Sequence, residues 1–161
     1  MITVAILTVS DSASTGARPD ASGPALRQAC EEAGWVVRTT AILPDEEESI
    51  SSRLRAWADS QEASLILTTG GTGVAARDVT PEATVAVFDR EIPGIPELLR
   101  SRGLEQTKFA VLSRGVAGVR KESLIINLPG SPKGALQGLQ VIKELVPHLV
   151  DLLHGKTGHT D

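Results

Sequence analysis

The chain has 161 residues, a formal net charge of −4, 41% apolar residues and only 2% aromatic residues. This length suits one domain with a substantial core, which must be built mainly from Leu, Ile, Val and Ala. The acidic balance and the scarcity of aromatic rings argue against broad nucleic-acid binding, which needs a basic face. The single cysteine, Cys30, excludes an internal disulfide and is typical of a reducing compartment.

The amino-terminal segment is apolar from residue 2 to residue 9 and has no basic segment before it. We therefore expect a first strand rather than a signal peptide. No apolar run in the sequence approaches the roughly 20 residues that a membrane span requires. These features predict a cytoplasmic protein without membrane contact.

Strand and helix patterns alternate in the first half of the chain. After a polar loop over 12–22, the sequence predicts a helix over 23–33, a strand over 35–42, a helix over 46–61 and a strand over 64–69. Gly34 supplies the stop for the first of these helices. Thr80 and Pro81 fit the cap and the first position of a further helix.

The second half is less regular between residues 89 and 122. It predicts a turn over 92–96, a short helix over 97–101, a buried strand over 124–128 and one long amphipathic helix that reaches residue 153. Residues 109–112 fit either a helix or a strand, and we favour the helix.

The order of these elements predicts an α/β fold with a mainly parallel sheet. We expect one domain over 1–154, followed by a polar tail over 155–161. Ligands of such sheets bind at the carboxyl ends of the strands. Polar loops follow three of the predicted strands, over 10–20, 70–80 and 129–133.

The loop that begins Gly70-Gly71-Thr72-Gly73 is the first candidate site. Glycine leaves backbone N–H groups free to face an anion, and Arg77 adds positive charge. Asp78, together with Asp45, could share a Mg²⁺ ion that bridges phosphate oxygens. The spacing matches neither a P-loop nor a dinucleotide-binding motif. A plain turn, with an aspartate that only flanks a helix, is the alternative.

The two other polar loops are weaker candidates. In the first, Ser10 and Asp11 could hold a phosphate or the polar edge of a heterocycle, although both residue types are equally typical of turns. Ser131 and Lys133 bring a hydroxyl, a cation and helix N–H groups together at the start of the last helix. A capped turn without a ligand is the alternative there.

Three motifs carry a resemblance to a known family. They are Thr8-Val9-Ser10-Asp11, Thr69-Gly70-Gly71-Thr72-Gly73 with Arg77-Asp78-Val79-Thr80-Pro81-Glu82-Ala83-Thr84, and Asn127-Leu128-Pro129-Gly130-Ser131-Pro132-Lys133-Gly134. Together they resemble the MogA/MoaB family of molybdenum cofactor biosynthesis, which includes the G domain of gephyrin. The resemblance extends over nearly the whole chain.

The resemblance implies a three-layer α/β sandwich with helices on both faces of the sheet, assembled as a homotrimer. It also implies molybdopterin adenylyltransferase activity. In that reaction the terminal phosphate of molybdopterin attacks the α-phosphorus of Mg-ATP, and pyrophosphate leaves. A separate downstream protein then inserts molybdate.

The resemblance also implies site residues. Asp45 and Asp78 correspond to the essential acidic residues of the family and would bind Mg²⁺ or orient the reacting phosphates. The implied substrate-binding residues are Ser10, Asp11, Thr69, Gly70, Gly71, Thr72, Gly73, Thr80, Pro129, Gly130, Ser131 and Lys133.

One departure is Val74-Ala75-Ala76, where the adenylyltransferase branch has a more basic sequence that contains proline. Two alternatives stay open. One is a non-catalytic molybdopterin-binding or assembly protein of the MoaB type. The other is a domain of the competence-damage type that acts on a pyridine nucleotide.

Overall fold

A computed structural model describes residues 1–158, in which a six-stranded sheet lies between layers of helices. The strands are β1 (Thr3–Val9), β2 (Val36–Leu43), β3 (Leu65–Thr69), β4 (Arg90–Glu91), β5 (Ala117–Arg120) and β6 (Ser123–Leu128). The helices are α1 (Asp11–Ser14), α2 (Ser22–Glu32), α3 (Glu47–Ser60), α4 (Thr80–Val85), α5 (Gly94–Gly103), α6 (Pro132–Ile142) and α7 (Leu145–Leu153). A 3₁₀ helix spans Lys108–Leu112. Within residues 1–158, no helix combines the length and the apolar character needed to cross a membrane.

The strand order in the sheet is β2-β1-β3-β6-β5-β4. The first four strands pair in parallel, whereas β5 runs antiparallel to both of its neighbours. The predicted α/β fold with a mainly parallel sheet is therefore confirmed. Because β1, β2, β3 and β6 point the same way, the loops that follow them meet at one edge of the sheet.

The core lies on both faces of this sheet because successive side chains of a strand point to opposite sides. On β1, Val4 and Ile6 belong to one buried cluster, while Ala5 and Leu7 belong to the other. Helices α2, α5, α6 and α7 contribute to the first cluster, and α3 and α4 to the second. The sheet is covered on both sides, as the three-layer prediction requires.

The region between residues 89 and 122 differs most from the prediction. Strands β4 and β5 were not predicted, because two and four residues are too few to display a period-2 pattern. Helix α5 begins at Gly94, inside the predicted turn, since Pro93 stands at its N-cap, where proline is compatible with a helix start. The preference for a helix over 109–112 is confirmed by the 3₁₀ helix.

The prediction of one long carboxyl-terminal helix was wrong. Helix α6 ends at Ile142, and α7 begins at Leu145. Pro147 explains the break, because its ring clashes with the carbonyl of the residue four positions earlier, Lys143. The apolar pattern continues through the break, so periodicity alone did not reveal it.

Smaller differences lie at the element ends. Helix α1 occupies the first part of the polar loop predicted over 12–22. Thr80 is the first residue of α4 rather than its cap, and its side chain makes no capping bond. Residues 159–161 of the predicted tail lie outside the described residues.

Candidate functional site

The loops after β3 and β6 are joined by direct backbone contact. Gly70 N–H donates to the Leu128 carbonyl at 3.3 Å, and Thr69 Oγ1 donates to the Pro129 carbonyl at 2.7 Å. A Cβ atom at Gly130 would lie only 3.1 Å from the Gly70 Cα. Two of the three predicted loops therefore form one continuous surface.

Glycine is required in the first turn of the Gly-rich loop. Gly70 and Gly71 have φ values of +101° and +69°, which L side chains rarely adopt. A Cβ atom at Gly71 would also meet the Thr80 hydroxyl and would lie 3.0 Å from Asp45 Oδ1. The buried Thr80 hydroxyl donates to the Gly70 carbonyl at 2.9 Å and so closes the turn. The loop is thus held against Asp45 by close packing.

Arg114 holds the other end of the same loop. Its Nε donates to the Gly73 carbonyl and its Nη2 to the Asp78 carbonyl, both at 2.8 Å, and it also pairs with Glu82. The Arg114 backbone N–H donates to the carbonyl of Thr72, which is buried. This role was not predicted from the sequence, because Arg114 lies outside the three motifs that carry the family resemblance. Arg114 fixes the chain from Thr72 to Asp78.

The acidic side of the loop contains three charged residues in contact. Asp11 N–H donates to Asp45 Oδ2, and Asp45 N–H donates to Asp11 Oδ1, each at 3.0 Å. Arg77 grips Asp11 with both arms of its guanidinium, Nε to Oδ2 at 3.0 Å and Nη2 to Oδ1 at 2.7 Å. The contacts of Asp11 and Arg77 with each other were not predicted from the sequence.

These contacts shift the two carboxyl groups in opposite directions. The hydrogen bond from Arg77, followed by the bond from the Asp45 backbone, lowers the pKa of Asp11. Burial is the main cause that raises the pKa of Asp45, and the nearby charges of Asp11 and Asp78 add to it. A cation beside Asp45 would favour the charged carboxylate and so offset both of these effects on its pKa.

The donor atoms that remain on Asp45 and Asp78 fit Mg²⁺. One oxygen of Asp78 accepts the Ala75 N–H at 3.0 Å and lies 2.8 Å from the place that a Cβ at Gly73 would occupy. Each carboxylate uses Oδ2 in the hydrogen bond described above, and neither Oδ1 takes part in that bond. Two carboxylates completed by phosphate oxygens and water are a usual magnesium environment. Within residues 1–158 no group of three or more acidic, His or Cys side chains converges as a metal site, so the phosphate oxygens would be needed.

Two predicted binding hydroxyls act as helix caps. Ser10 Oγ accepts the Ala13 N–H at 3.2 Å, and Ser131 Oγ accepts the Gly134 N–H at 3.1 Å. The Ser131 hydroxyl proton can still donate to a ligand. The Ser10 proton can do so when Ser12 Oγ, 3.2 Å away, donates in the hydrogen bond that the two hydroxyls share. Lys133 is exposed in the first turn of α6, beside Ser131.

A cavity of about 380 Å³ opens on the other side of the Gly-rich loop. Its walls come from that loop, α5, the 3₁₀ helix and α6, and they are mainly apolar, with Leu99 and Phe109 among them. Arg100 and Asn127 add polar groups to the lining. Arg100 Nη1 donates to two backbone carbonyls, and Asn127 donates to two buried threonine hydroxyls, so both side chains are fixed. This volume suits a small heterocyclic ligand.

Fold and site together define an α/β protein with a carboxylate-bearing, phosphate-compatible loop beside an apolar cavity at the strand ends. The model of the family described as probable molybdopterin binding domain matches residues 5–148. The chain therefore belongs to this family, and the predicted membership of the MogA/MoaB group is confirmed.

Individual relatives span most of the chain. A molybdopterin adenylyltransferase of Haemophilus influenzae is 40% identical, and the alignment covers 96% of this chain and 86% of that protein. The molybdenum cofactor synthesis protein cinnamon of Drosophila melanogaster is 43% identical over 94% of this chain, but the chain spans only 26% of that longer protein. The crystal structure of the molybdopterin biosynthesis enzyme MoaB from Thermus thermophilus superimposes with a TM-score of 0.91. It is 49% identical, and the match covers 97% of this chain and 98% of the other.

Proposed function

We propose that this protein is a molybdopterin adenylyltransferase, which transfers AMP from Mg-ATP to the terminal phosphate of molybdopterin and releases pyrophosphate. The observation that carries this proposal is the position of Asp45 beside Gly71 and of Asp78 beside Gly73, at the two ends of the same turn. The nearly full-length similarity to a molybdopterin adenylyltransferase supports it over a non-catalytic binding function.

The reaction needs little covalent chemistry from the protein, because a phosphate of one substrate is the nucleophile and pyrophosphate is the leaving group. Catalysis then depends on positioning and on the neutralisation of phosphate charge. Asp45 and Asp78 would hold Mg²⁺, which when bound supplies charge neutralisation at the reacting phosphates. The Gly-rich turn brings backbone within reach of those phosphates because no side chain intervenes.

The cavity provides a place for a substrate ring. We assign the apolar lining around Leu99 and Phe109 to one of the two ring systems, with the phosphates directed toward Gly73. Ser131 lines the cavity, and Lys133 is exposed two residues further on in α6. Both would contact a phosphate or a polar ring edge. Thr69, Thr80 and Pro129 would act by shaping this surface, since the two threonine hydroxyls and the Pro129 carbonyl are engaged within the protein. Gly130 would act through its close approach to Gly70.

The proposal extends to the assembly and the location of the protein. We propose a homotrimer, as the family resemblance implies, that acts in the cytoplasm, where Mg-ATP is available. Its product would pass to a separate protein that inserts molybdate.

The test is formation of adenylylated molybdopterin and pyrophosphate by the purified protein with molybdopterin and Mg-ATP. Asp78→Asn should lower turnover by about 100- to 1,000-fold, while molybdopterin binding persists. The substitution retains an oxygen that can accept the Ala75 N–H, so the loop should keep its shape. Asp151→Asn, at an exposed aspartate on α7, is the matched control and should leave turnover unchanged.

Turnover that collapses only in Asp78→Asn would support both the activity and the role of the carboxylate. Equal loss of binding and turnover would contradict the assigned role. Tight molybdopterin binding by the wild-type protein without nucleotide transfer would instead identify a non-catalytic binding protein.

A further inference from the structure

On the basis of the function proposed above, we propose that Asp11 and Arg77 form a positioning pair that sets the catalytic carboxylate of Asp45 against the Gly-rich loop. In this role neither residue binds substrate directly, which differs from the substrate-binding role that the family resemblance implies for Asp11. The pair acts through Asp45, whose orientation it fixes.

The hydrogen bonds form an unbroken chain between two loops. Arg77 is in the Gly-rich loop, immediately before Asp78, and its guanidinium binds both oxygens of Asp11. Asp11, the first residue of α1, exchanges two hydrogen bonds with Asp45, which lies two residues after the end of β2. A single arginine thus connects the loop that carries one catalytic carboxylate to the segment that carries the other.

A fork-shaped donor is the part that this geometry needs. Asp11 must accept from Arg77 and from the Asp45 backbone at the same time, and its Oδ1 accepts from both. A planar guanidinium binds both carboxylate oxygens of Asp11 at once and so fixes the orientation in which Asp11 bonds to Asp45. The ammonium group of a lysine is a point charge and cannot bind the two oxygens in this bidentate way.

The Arg77 and Asp11 side chains are exposed, so an effect of their loss on turnover can be distinguished from an effect on the stability of the fold. The Arg77 and Asp11 side chains are 62% and 45% exposed. Exposed ion pairs usually contribute little to stability, because water screens the two charges and holding the side chains together costs entropy. Loss of this pair should therefore leave the fold intact, and any large effect must come from the alignment of Asp45.

The experiment is a double-mutant cycle with Arg77→Gln, Asp11→Ala and the double variant. Each single variant should lower kcat by roughly 10- to 100-fold, because a small misplacement of a catalytic group has an effect of this size. KM values for ATP and molybdopterin should stay unchanged. The double variant should be no slower than the singles, because both changes break the same chain. Arg77→Lys should recover only part of the loss.

Two results would overturn the pairing. If Arg77 contacts phosphate directly, Arg77→Gln raises KM for ATP, Asp11→Ala does not copy it, and the losses multiply in the double variant. If all three variants retain full kcat, the pair has no role in catalysis. Arg27→Gln removes an arginine of similar exposure on α2 and should have no effect.

A second readout does not depend on turnover. The Asp45 backbone N–H donates to Asp11, so its amide NMR resonance should shift in Arg77→Gln, although the guanidinium of Arg77 donates to Asp11 and not to Asp45. An unmoved resonance would contradict the positioning chain even if the wild-type protein proves inactive. Wild-type inactivity with a shifted resonance would instead count only against the proposed function.

Discussion

Replacement of Arg114 by methionine should damage both the stability and the turnover of this protein. The variant keeps an unbranched apolar stem, although this stem is shorter than the arginine side chain, and it removes every donor. It breaks the two 2.8 Å hydrogen bonds to the Gly73 and Asp78 carbonyls and the pairing with Glu82. These two carbonyls flank the part of the Gly-rich loop that ends at Asp78, the proposed catalytic carboxylate.

The expected loss of stability follows from these contacts. A hydrogen bond from a charged donor contributes about 1.5–3 kcal/mol, and the 37% exposure of the Arg114 side chain places both bonds at the low end. The exposed pair with Glu82 adds at most about 1 kcal/mol. We expect a loss of about 3–4 kcal/mol in the free energy of unfolding, which for this chain length lowers Tm by about 6–16 °C. Turnover should fall about 100-fold as the loop loses its alignment.

Thermal unfolding followed by circular dichroism, together with steady-state kinetics below Tm, measures both effects. Arg27→Met removes an exposed arginine from α2 and is the matched control. Arg114→Lys keeps the charge and should give intermediate values. A methionine variant with the wild-type Tm and kcat would refute the view that Arg114 holds the loop.

Two further substitutions and one labelling experiment test other features of the fold. Gly70→Ala should lower the free energy of unfolding, measured with urea, by about 3 kcal/mol or more, because φ is +101° and the new Cβ would meet the Val9 carbonyl. Asp59→Asn should lower Tm at neutral pH, since the Arg120 hydrogen bond lowers the pKa of Asp59 below its ordinary 3.8. The difference in Tm between the wild-type protein and Asp59→Asn should shrink as the pH falls below 3.8, because the Asp59 carboxylate of the wild-type protein then becomes protonated and loses its charge. Burial raises the pKa of the Cys30 thiol to about 12, so a thiol reagent should label it only after unfolding.

For each of these three tests, one result would contradict the reasoning behind it. Gly16 has φ +78° and open space around it, so Gly16→Ala should cost only about 1 kcal/mol, and equal losses at both glycines would exclude the packing argument. A Tm difference for Asp59→Asn that persists unchanged at acid pH would exclude its carboxylate as the cause. Rapid labelling of Cys30 in the native protein would contradict its burial.

The strands of the sheet could be predicted where burial requires a run of apolar residues in the sequence. Strands β3 and β6 are buried on both faces and therefore appear as continuous apolar runs. Strand β5 has only four residues, two of them Ala117 and Gly118, and nothing in so short a run distinguishes it from a loop. Pro147 was a visible break signal, but the apolar repeat on both sides of it outweighed that signal.

The candidate site divides in a similar way. The Gly-rich turn could be predicted because Gly70 and Gly71 adopt positive φ, a local property. Arg114 lies 41 residues from Gly73, and Arg77 lies 66 residues from Asp11. Such contacts depend on which loops the sheet order brings together, and no local pattern encodes them. The roles given to the substrate-binding residues stay predictions until they are tested.

The contact between Gly70 and Gly130 has a consequence for hydrogen exchange. The loops after β3 and β6 share a backbone hydrogen bond and a hydroxyl bond across their junction. Neither loop can open to solvent without breaking these bonds, so their amides should exchange as one cooperative unit. A ligand that contacts only Asp45, Asp78 and the loop after β3 should therefore also slow amide exchange in the loop after β6, which the ligand itself does not touch.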